Sequence, residues 1–188
     1  MTSATPWLDG QPGVIRHRAL ARFLAAQRPL YALLDAARDP SILGLLQASD
    51  CRHDNLFTDE RAASLAAFAP HLVSLTPGAA LCDELIPHWG AHWGIYLTAE
   101  GSYADLLAHL RELLWPDTPD GPMLWRFYDP RVLRELLPSC DARRAAAFFG
   151  PVRAFLCAGR DSGVLLHCTR DADGVVIDAR PISALAPG

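Results

Sequence analysis

The chain has 188 residues, 17 of them basic and 21 acidic, so its formal net charge is −4. With 51% hydrophobic and 20% charged residues, it is not a wholly disordered chain, and its length indicates one domain over residues 1–188. The acidic balance argues against nucleic-acid binding through phosphates, and the lack of lysine excludes Schiff bases and a lysine-containing phosphate loop.

The N-terminal residues and the cysteines indicate in which cellular compartment the protein is expected. The first residues lack the basic and apolar regions of a signal peptide, and no apolar window is long enough to span a bilayer. The five cysteines are odd in number, lie far apart and form no C-x-x-C motif. The sequence therefore predicts a cytoplasmic protein without a disulfide framework and without membrane insertion.

Helices and strands are predicted to alternate over the first 115 residues. Apolar periodicity predicts a helix over residues 13–27, and the apolar run 30–34 predicts a buried strand. Further elements follow in chain order: a helix that begins at Pro40, a helix over 60–68, a strand over 71–75, a helix over 79–88, a strand over 93–98 and a helix over 103–115, capped by Ser102.

The second half begins with a predicted strand over residues 123–128. Asp129 and Pro130 then open a helix, because aspartate accepts the free amide hydrogens and proline fits the first helical position. A last helix begins at Asp141 and ends at Gly150 and Pro151.

Three apolar runs, 152–157, 164–169 and 175–179, are separated by turn-forming residues, which predicts an antiparallel meander over 152–180. We therefore expect an α/β fold in which short helices flank a mixed central sheet and the meander forms the C-terminal part.

No nucleophile elbow, dinucleotide-binding loop, phosphate loop or H-E-x-x-H motif occurs in the sequence. The best metal candidates are Cys82, His88 and His92, since histidines four apart share a helix face. Gly90 between the histidines instead favours an aromatic-rich loop, so we expect neither a metal nor a cofactor.

Two sequence-adjacent cysteine–histidine pairs are also weak candidates for nucleophilic chemistry. Cys51 and His53 lie too close in the chain to aim at each other easily. His167 and Cys168 would point to opposite faces of a strand.

The segment 124–133 is the most informative part of the chain. Alternation places Arg126 among aromatic residues, and a buried arginine requires a carboxylate, for which Asp35 and Asp129 are candidates. In one interpretation Arg126 forms a structural ion pair and Asp129 only caps a helix. In the other, the segment is a partner-binding surface, because its residue types often anchor interfaces. The members of that surface would be Trp125, Arg126, Tyr128 and Arg131.

Several segments occur in an order that resembles a known family. They are residues 30–37, 55–57, 69–75, 94–97, 109–111, 125–133 and 149–152. Over about residues 30–155 the chain is similar to the adaptor, or effector chaperone, domain of bacterial type VI secretion, long catalogued as a domain of unknown function. The most specific parts are Arg-Phe-Tyr-Asp-Pro-Arg-Val-Leu and Phe-Gly-Pro, and the positions that we take as structural are Asp35, Asp129, Pro130, Gly150 and Pro151.

The resemblance implies a non-catalytic cytoplasmic protein that binds an effector toxin and helps to load it onto a VgrG or PAAR spike protein. Larger members carry a longer C-terminal part that is thought to contact the cargo, whereas only residues 152–188 follow the Phe-Gly-Pro motif here. We therefore expect the cargo to contact the meander or a groove between the two halves.

The alternative that rests on the residues alone is a small α/β enzyme or ligand-binding protein with its site at strand ends. Its first candidates are His71, Cys82, His88 and His92.

Overall fold

A computed structural model describes residues 12–58, 64–76, 78–116 and 123–185 of the chain, with side chains from residue 16 onward. Residues 60–63 of the helix predicted over residues 60–68 lie outside these ranges, and its end, Ala66–Phe68, is a short 3-10 helix. No helix in the described ranges combines the length and the apolar character that a membrane crossing requires.

The described residues form seven strands and six α-helices. The strands β1 to β7 are Leu30–Asp35, His53–Asn55, Pro70–Leu75, Gly94–Ala99, Val152–Ala158, Val164–Arg170 and Val175–Pro181. The helices α1 to α6 are Pro12–Ala26, Ser41–Ala48, Ala80–Leu85, Tyr103–Leu114, Pro130–Leu136 and Ala142–Phe149. The predicted α/β class and the C-terminal meander, β5 to β7, are confirmed.

The seven strands form one sheet in the order β2-β3-β1-β4-β5-β6-β7, and every neighbouring pair is antiparallel. The sheet thus differs from the mixed sheet expected from the alternation of helices and strands. The connection from β1 to β2 steps over β3, and the connection from β3 to β4 steps over β1. Each crossover therefore joins parallel strands that are separated by one strand of opposite direction.

Helical layers cover both faces of the sheet. Leu33, Ile95 and Phe155 face the layer that contains α4, α5 and α6. Leu34 and Leu156 face the layer that contains α1, α2 and α3. Because β1 is covered on both sides, all six of its residues are buried. Burial of such apolar side chains contributes about 1.5–3 kcal/mol each, so the centre of the sheet carries much of the stability.

The prediction of a strand over residues 123–128 is wrong. Phe127 and Tyr128 follow each other yet are both buried, and the amide N of Asp129 donates to the carbonyl O of Arg126 at 3.0 Å, which closes a turn. Both sides of each central strand are already paired, so this segment packs over the α4–α6 face of the sheet instead. By contrast, β2 was not predicted, because its three residues, His-Asp-Asn, carry no apolar alternation.

Three predicted helix starts are confirmed. Asp141 caps α6, where its Oδ1 accepts from the amide N of Arg144 at 2.7 Å. Ser102 and Asp105 form a reciprocal capping box at the start of α4. Asp129 caps α5, and Pro130 occupies its first turn.

The Phe-Gly-Pro segment closes the passage from α6 to β5. Gly150 has a φ of +49°, and a Cβ atom there would lie 2.4 Å from Cε1 of His109. The His109 ring is held by a 3.0 Å contact between its Nε2 and the carbonyl O of Phe148, and the carbonyl O of Pro151 accepts from the amide N of Glu100 at 2.9 Å. Glycine is therefore required here both by the backbone angle and by the histidine ring.

We expect Gly150→Ala to lower the free energy of unfolding by about 1–3 kcal/mol, since it adds backbone strain and a clash with His109. Urea unfolding of the variant and of the double variant with His109→Ala measures the two contributions. The double variant should recover part of the loss, because only the clash depends on the imidazole.

The matched control is Gly44→Ala in α2, where the added Cβ would meet no atom within 4 Å beyond its chain neighbours and the backbone of its own helix. It should be neutral or stabilising by up to about 1 kcal/mol, as expected for an exposed helical glycine. Equal effects of Gly150→Ala and Gly44→Ala would contradict the close approach of His109.

Candidate partner-binding site

The site begins with Asp35, the last residue of β1. Its carboxylate is 2% exposed, because β1 lies in the middle of the covered sheet. Oδ1 accepts from the amide N of Ala37 at 3.2 Å, and Oδ2 accepts from Nη2 of Arg126 at 2.5 Å. A buried carboxylate requires such partners, because an isolated buried charge is strongly destabilising.

Arg126 reaches this carboxylate from the turn that precedes α5. Its side chain is 45% exposed although Asp35 is buried, and its Cζ lies 6.0 Å from the centre of the Tyr128 ring. The guanidinium thus lies at the surface, with one nitrogen directed inward to Asp35. Of the two carboxylates that the sequence offered to Arg126, the structure selects Asp35.

Asp129 has a different arginine as its partner. Its Oδ1 accepts from the amide N of Arg131 at 2.9 Å and from Nε at 3.0 Å, and its Oδ2 accepts from Nη2 at 2.6 Å. One carboxylate therefore both caps α5 and holds the Arg131 guanidinium in a fork.

The two ion pairs have the same orientation. The carboxylates are 2% and 6% exposed, whereas the guanidinium side chains of Arg126 and Arg131 are 45% and 47% exposed. Each pair has no net charge, but its positive end faces solvent. The solvent-facing groups of these two pairs are therefore cationic, on a chain whose net charge is −4.

The electrostatics of Asp129 follow from this arrangement. Burial by itself would raise the pKa of the carboxyl, but the hydrogen bonds and the positive charge of Arg131 outweigh it. The pKa of Asp129 consequently lies below its ordinary value.

The guanidiniums border an open depression beside α5. Its lining comprises Arg126, Asp129, Arg131, Val132, Glu135 and Leu136. The partly buried Val132 and Leu136 lie four residues apart on one helix face, so they supply an apolar strip between the charged groups. Glu135 is paired with Arg160 on the turn between β5 and β6. Sequence reasoning did not select Val132 or Leu136, although their helical spacing was visible.

The other residues of the predicted surface take supporting positions. Tyr128 is 2% exposed and lies beneath Arg126, and burial raises the pKa of Tyr128 to about 12. Trp125 is partly buried and packs edge-on against Phe148, with ring centroids 5.5 Å apart. Pro130 is also buried, at the start of α5.

Gly150 and Pro151 are not part of this site. Asp35 is the last residue of β1, at the end where Leu34 pairs with Gly94, the first residue of β4. Gly150 precedes β5 at the end where Val152 pairs with Ala99, the last residue of β4. Asp35 and the Gly150–Pro151 segment therefore lie at opposite ends of the sheet.

The residues considered for metal or nucleophilic chemistry do not converge. His88 stacks on Trp93 with ring centroids 3.6 Å apart, and Nδ1 of His53 contacts the carbonyl O, not the thiol, of Cys51 at 3.1 Å. His167 packs near Phe23 on the α1 side, whereas Cys168 lies in the opposite core. No cluster of three or more histidine, cysteine or acidic side chains suited to a metal occurs among the residues that the structure describes.

A second concave feature lies between α1, α3 and the sheet. It has a volume of about 240 Å³. Its lining is mainly apolar and includes Leu24, Leu30, Leu75, Cys82, Ile86 and Tyr96. Burial raises the pKa of the Cys82 thiol, which disfavours the nucleophilic thiolate.

We expect Arg126→Met to lower the free energy of unfolding by about 2–3 kcal/mol, because it leaves the buried Asp35 carboxylate without its ion-pair partner. Arg160→Met is the matched control, since it removes the same side chain from the exposed pair with Glu135 and should change stability by less than about 0.5 kcal/mol. Chemical denaturation of both variants makes the comparison, and similar losses would contradict the buried pair.

Asp129 should contribute stability that disappears in acid. Its folded-state pKa is lowered relative to about 3.9 in the unfolded chain, so protons bind the unfolded state first as the pH falls. The contribution is complete above the unfolded-state pKa and is lost as the pH falls through the folded-state pKa. Asp129→Asn retains a capping oxygen, so it should cost about 1 kcal/mol at pH 7, from the charge alone, and less at pH 3. Urea unfolding at the two pH values tests this, and a pH-independent loss would contradict it.

Comparison with known proteins places these features in a family. Residues 30–147 match the family model of the domain of unknown function DUF4123, which covers more than half of the chain. This domain is associated with adaptors of type VI secretion effectors. Searches of curated proteins and of solved structures find no match to the chain. The matched range includes Asp35, Arg126, Asp129 and Arg131, and the chain is a member of the DUF4123 family.

Proposed function

We propose that this protein is a non-catalytic cytoplasmic adaptor of type VI secretion, which binds an effector toxin and helps to load it onto a VgrG or PAAR spike protein. Membership of a family that is associated with effector adaptors supports the general role. The surface beside α5 supplies a place for protein recognition.

The observation that carries the proposal is the common orientation of the two arginine–carboxylate pairs. Asp35 and Asp129 hold Arg126 and Arg131 from inside, so both guanidiniums are positioned at the surface before a partner arrives. A preorganised side chain loses less conformational entropy on binding than a free one.

The chemistry of this surface indicates the chemistry of the partner. Arg126 donates a hydrogen bond to Asp35 through Nη2, and Arg131 donates hydrogen bonds to Asp129 through Nε and Nη2. The remaining N–H groups of both guanidiniums can therefore donate to another acceptor. Carboxylates match the guanidinium geometry, and the strip of Val132 and Leu136 suits an apolar side chain. The effector segment bound here is therefore acidic with apolar residues, and its binding weakens as salt screens the charges.

The state of the thiols supports a non-catalytic role. Burial raises the pKa of Cys82, Cys140, Cys157 and Cys168, and it brings the pKa of Cys168 to about 12. Such thiols are poor nucleophiles at neutral pH.

Ligand binding is a second candidate, favoured by the apolar cavity between α1 and α3. Its ligand would be a small apolar molecule, since most of the lining is apolar. Native mass spectrometry of the purified protein tests this candidate. A small molecule that stays bound to the protein would support ligand binding.

For the adaptor role, we expect a stoichiometric complex when the chain is co-expressed with the products of its neighbouring genes and analysed by gel filtration. Val132→Glu should weaken this complex at least about tenfold, because it introduces a negative charge into the depression that the two arginines border. Ala146→Glu adds the same charge at an exposed position of α6 and should change affinity by less than about twofold. Separate elution of the chain and all neighbouring products would overturn the proposal.

A further inference from the structure

Strand β7 forms one edge of the seven-stranded sheet, because β6 is its only neighbour among the strands of the described residues. Residues 176–179 in the middle of β7 are exposed. Val176 is 43% exposed and Ile177 is 38% exposed, which places both among the large apolar side chains that remain open to solvent in the described residues. A long exposed edge is a template for pairing with another strand.

Two hydrogen bonds show which backbone groups of β7 face β6. At one end of the hairpin the amide N of Asp171 donates to the carbonyl O of Gly174 at 3.0 Å, and at the other end the amide N of Ile182 donates to the carbonyl O of Gly163 at 2.8 Å. The ladder between them keeps one register, from Arg170 opposite Val175 to Val164 opposite Pro181.

In an antiparallel ladder, hydrogen-bonded and non-hydrogen-bonded pairs alternate. Gly174 and Ile182 both belong to hydrogen-bonded pairs, so the even-numbered residues between them also face β6. The N–H and C=O groups of Val175, Ile177 and Ala179 consequently point away from the sheet. Within the described parts of the chain, no backbone group of a turn or loop bonds to these three residues, and no strand pairs with β7 on this side.

The side chains along this edge set the character of a partner strand. Ile177 lies opposite Cys168 and so belongs to the α4–α6 side of the sheet, whereas Val176 belongs to the α1 side. On the α1 side, Asp178 accepts from Nε of Arg180 at 2.6 Å. Pro181 lacks an N–H and ends the row of donors. In chain order, the open edge therefore presents the apolar side chains of Val176 and Ile177 and then the charged pair of Asp178 and Arg180.

A second copy of this chain fits the edge poorly. Antiparallel pairing of the whole of β7 with the same strand of another copy would place Asp178 directly opposite Asp178. Like charges directly opposite each other destabilise a sheet. The charge pattern therefore favours a different polypeptide.

We propose that the β7 edge binds an extended segment of the effector, which adds an eighth, antiparallel strand through the outward groups of Val175, Ile177 and Ala179. The segment carries an apolar residue beside Ile177 and a basic or neutral residue opposite Asp178. This inference rests on the proposed adaptor function and adds to it the mode of cargo binding.

Amide hydrogen exchange by NMR tests the strand addition directly. The probe is the complex of the ¹⁵N-labelled chain with the unlabelled effector that co-purifies with it. In the free chain the amides of Val176, Asp178 and Arg180 should exchange slowly and those of Val175, Ile177 and Ala179 quickly. In the complex the second group should slow by at least about tenfold, because each amide gains a backbone acceptor.

A pair of variants separates the backbone contribution from the side chain. Ile177→Pro removes an outward N–H without removing a bond to β6, and should weaken the complex at least about fivefold. Ile177→Thr keeps both the N–H and the branched Cβ, so it should weaken the complex less than Ile177→Pro. Thermal melts of both variants monitor folding, and the exchange experiment on the unmodified chain remains decisive if Ile177→Pro fails to fold.

The possible outcomes are distinct. A complex in which the outward amides still exchange quickly overturns the strand addition and leaves the adaptor function intact. Protection of these amides in the chain alone at high concentration assigns the edge to a second copy and also overturns it. If no complex forms with any neighbouring product, the adaptor function and this inference fail together.

Discussion

The ion pair between Asp35 and Arg126 holds together parts of the chain that are 91 residues apart. Asp35 ends the central strand, where its carboxylate is buried, and a buried carboxylate requires a cationic or hydrogen-bonding partner. Arg126 supplies that partner from a segment that does not join the sheet. The pair thereby fixes the turn before α5, and the position of this turn decides where Asp129, Arg131 and the depression lie.

The depression and the C-terminal meander are connected by side chains of α5. Nη1 of Arg134 donates to the carbonyl O of Ala158 at 2.7 Å and to that of Gly159 at 3.1 Å, at the end of β5. Glu135 pairs with Arg160 on the following turn. A partner bound beside α5 would therefore contact a helix that is tied directly to the meander, whose far edge is β7.

The two proposed contacts differ in their relation to the family. The depression beside α5 lies within residues 30–147, the range that matches DUF4123, whereas β7 follows this range. Both contacts use arrangements that are set before binding. Buried carboxylates orient the arginines, and the β6 ladder aligns the free backbone groups of β7. Such preorganisation reduces the entropy lost on association.

Local chemistry was sufficient to predict much of the fold. The apolar runs identified six of the seven strands, and the capping residues identified the starts of α4 and α5, because these signals act over a few neighbouring residues. The sequence also identified Arg126, Asp129 and Arg131 as members of one chemically unusual segment.

Other features depend on contacts between distant parts of the chain. Residues 123–128 have the alternation of a strand, but other strands pair with both sides of every central strand, and this segment forms a turn over the sheet. The alternation of helices and strands likewise could not show that each crossover steps over one strand. The choice of Asp35 as the partner of Arg126 required the end of β1 to meet the turn before α5, 91 residues further along the chain. Sequence determined which groups needed partners, and only the tertiary structure decided which partners they found, because burial and pairing are properties of the packed chain.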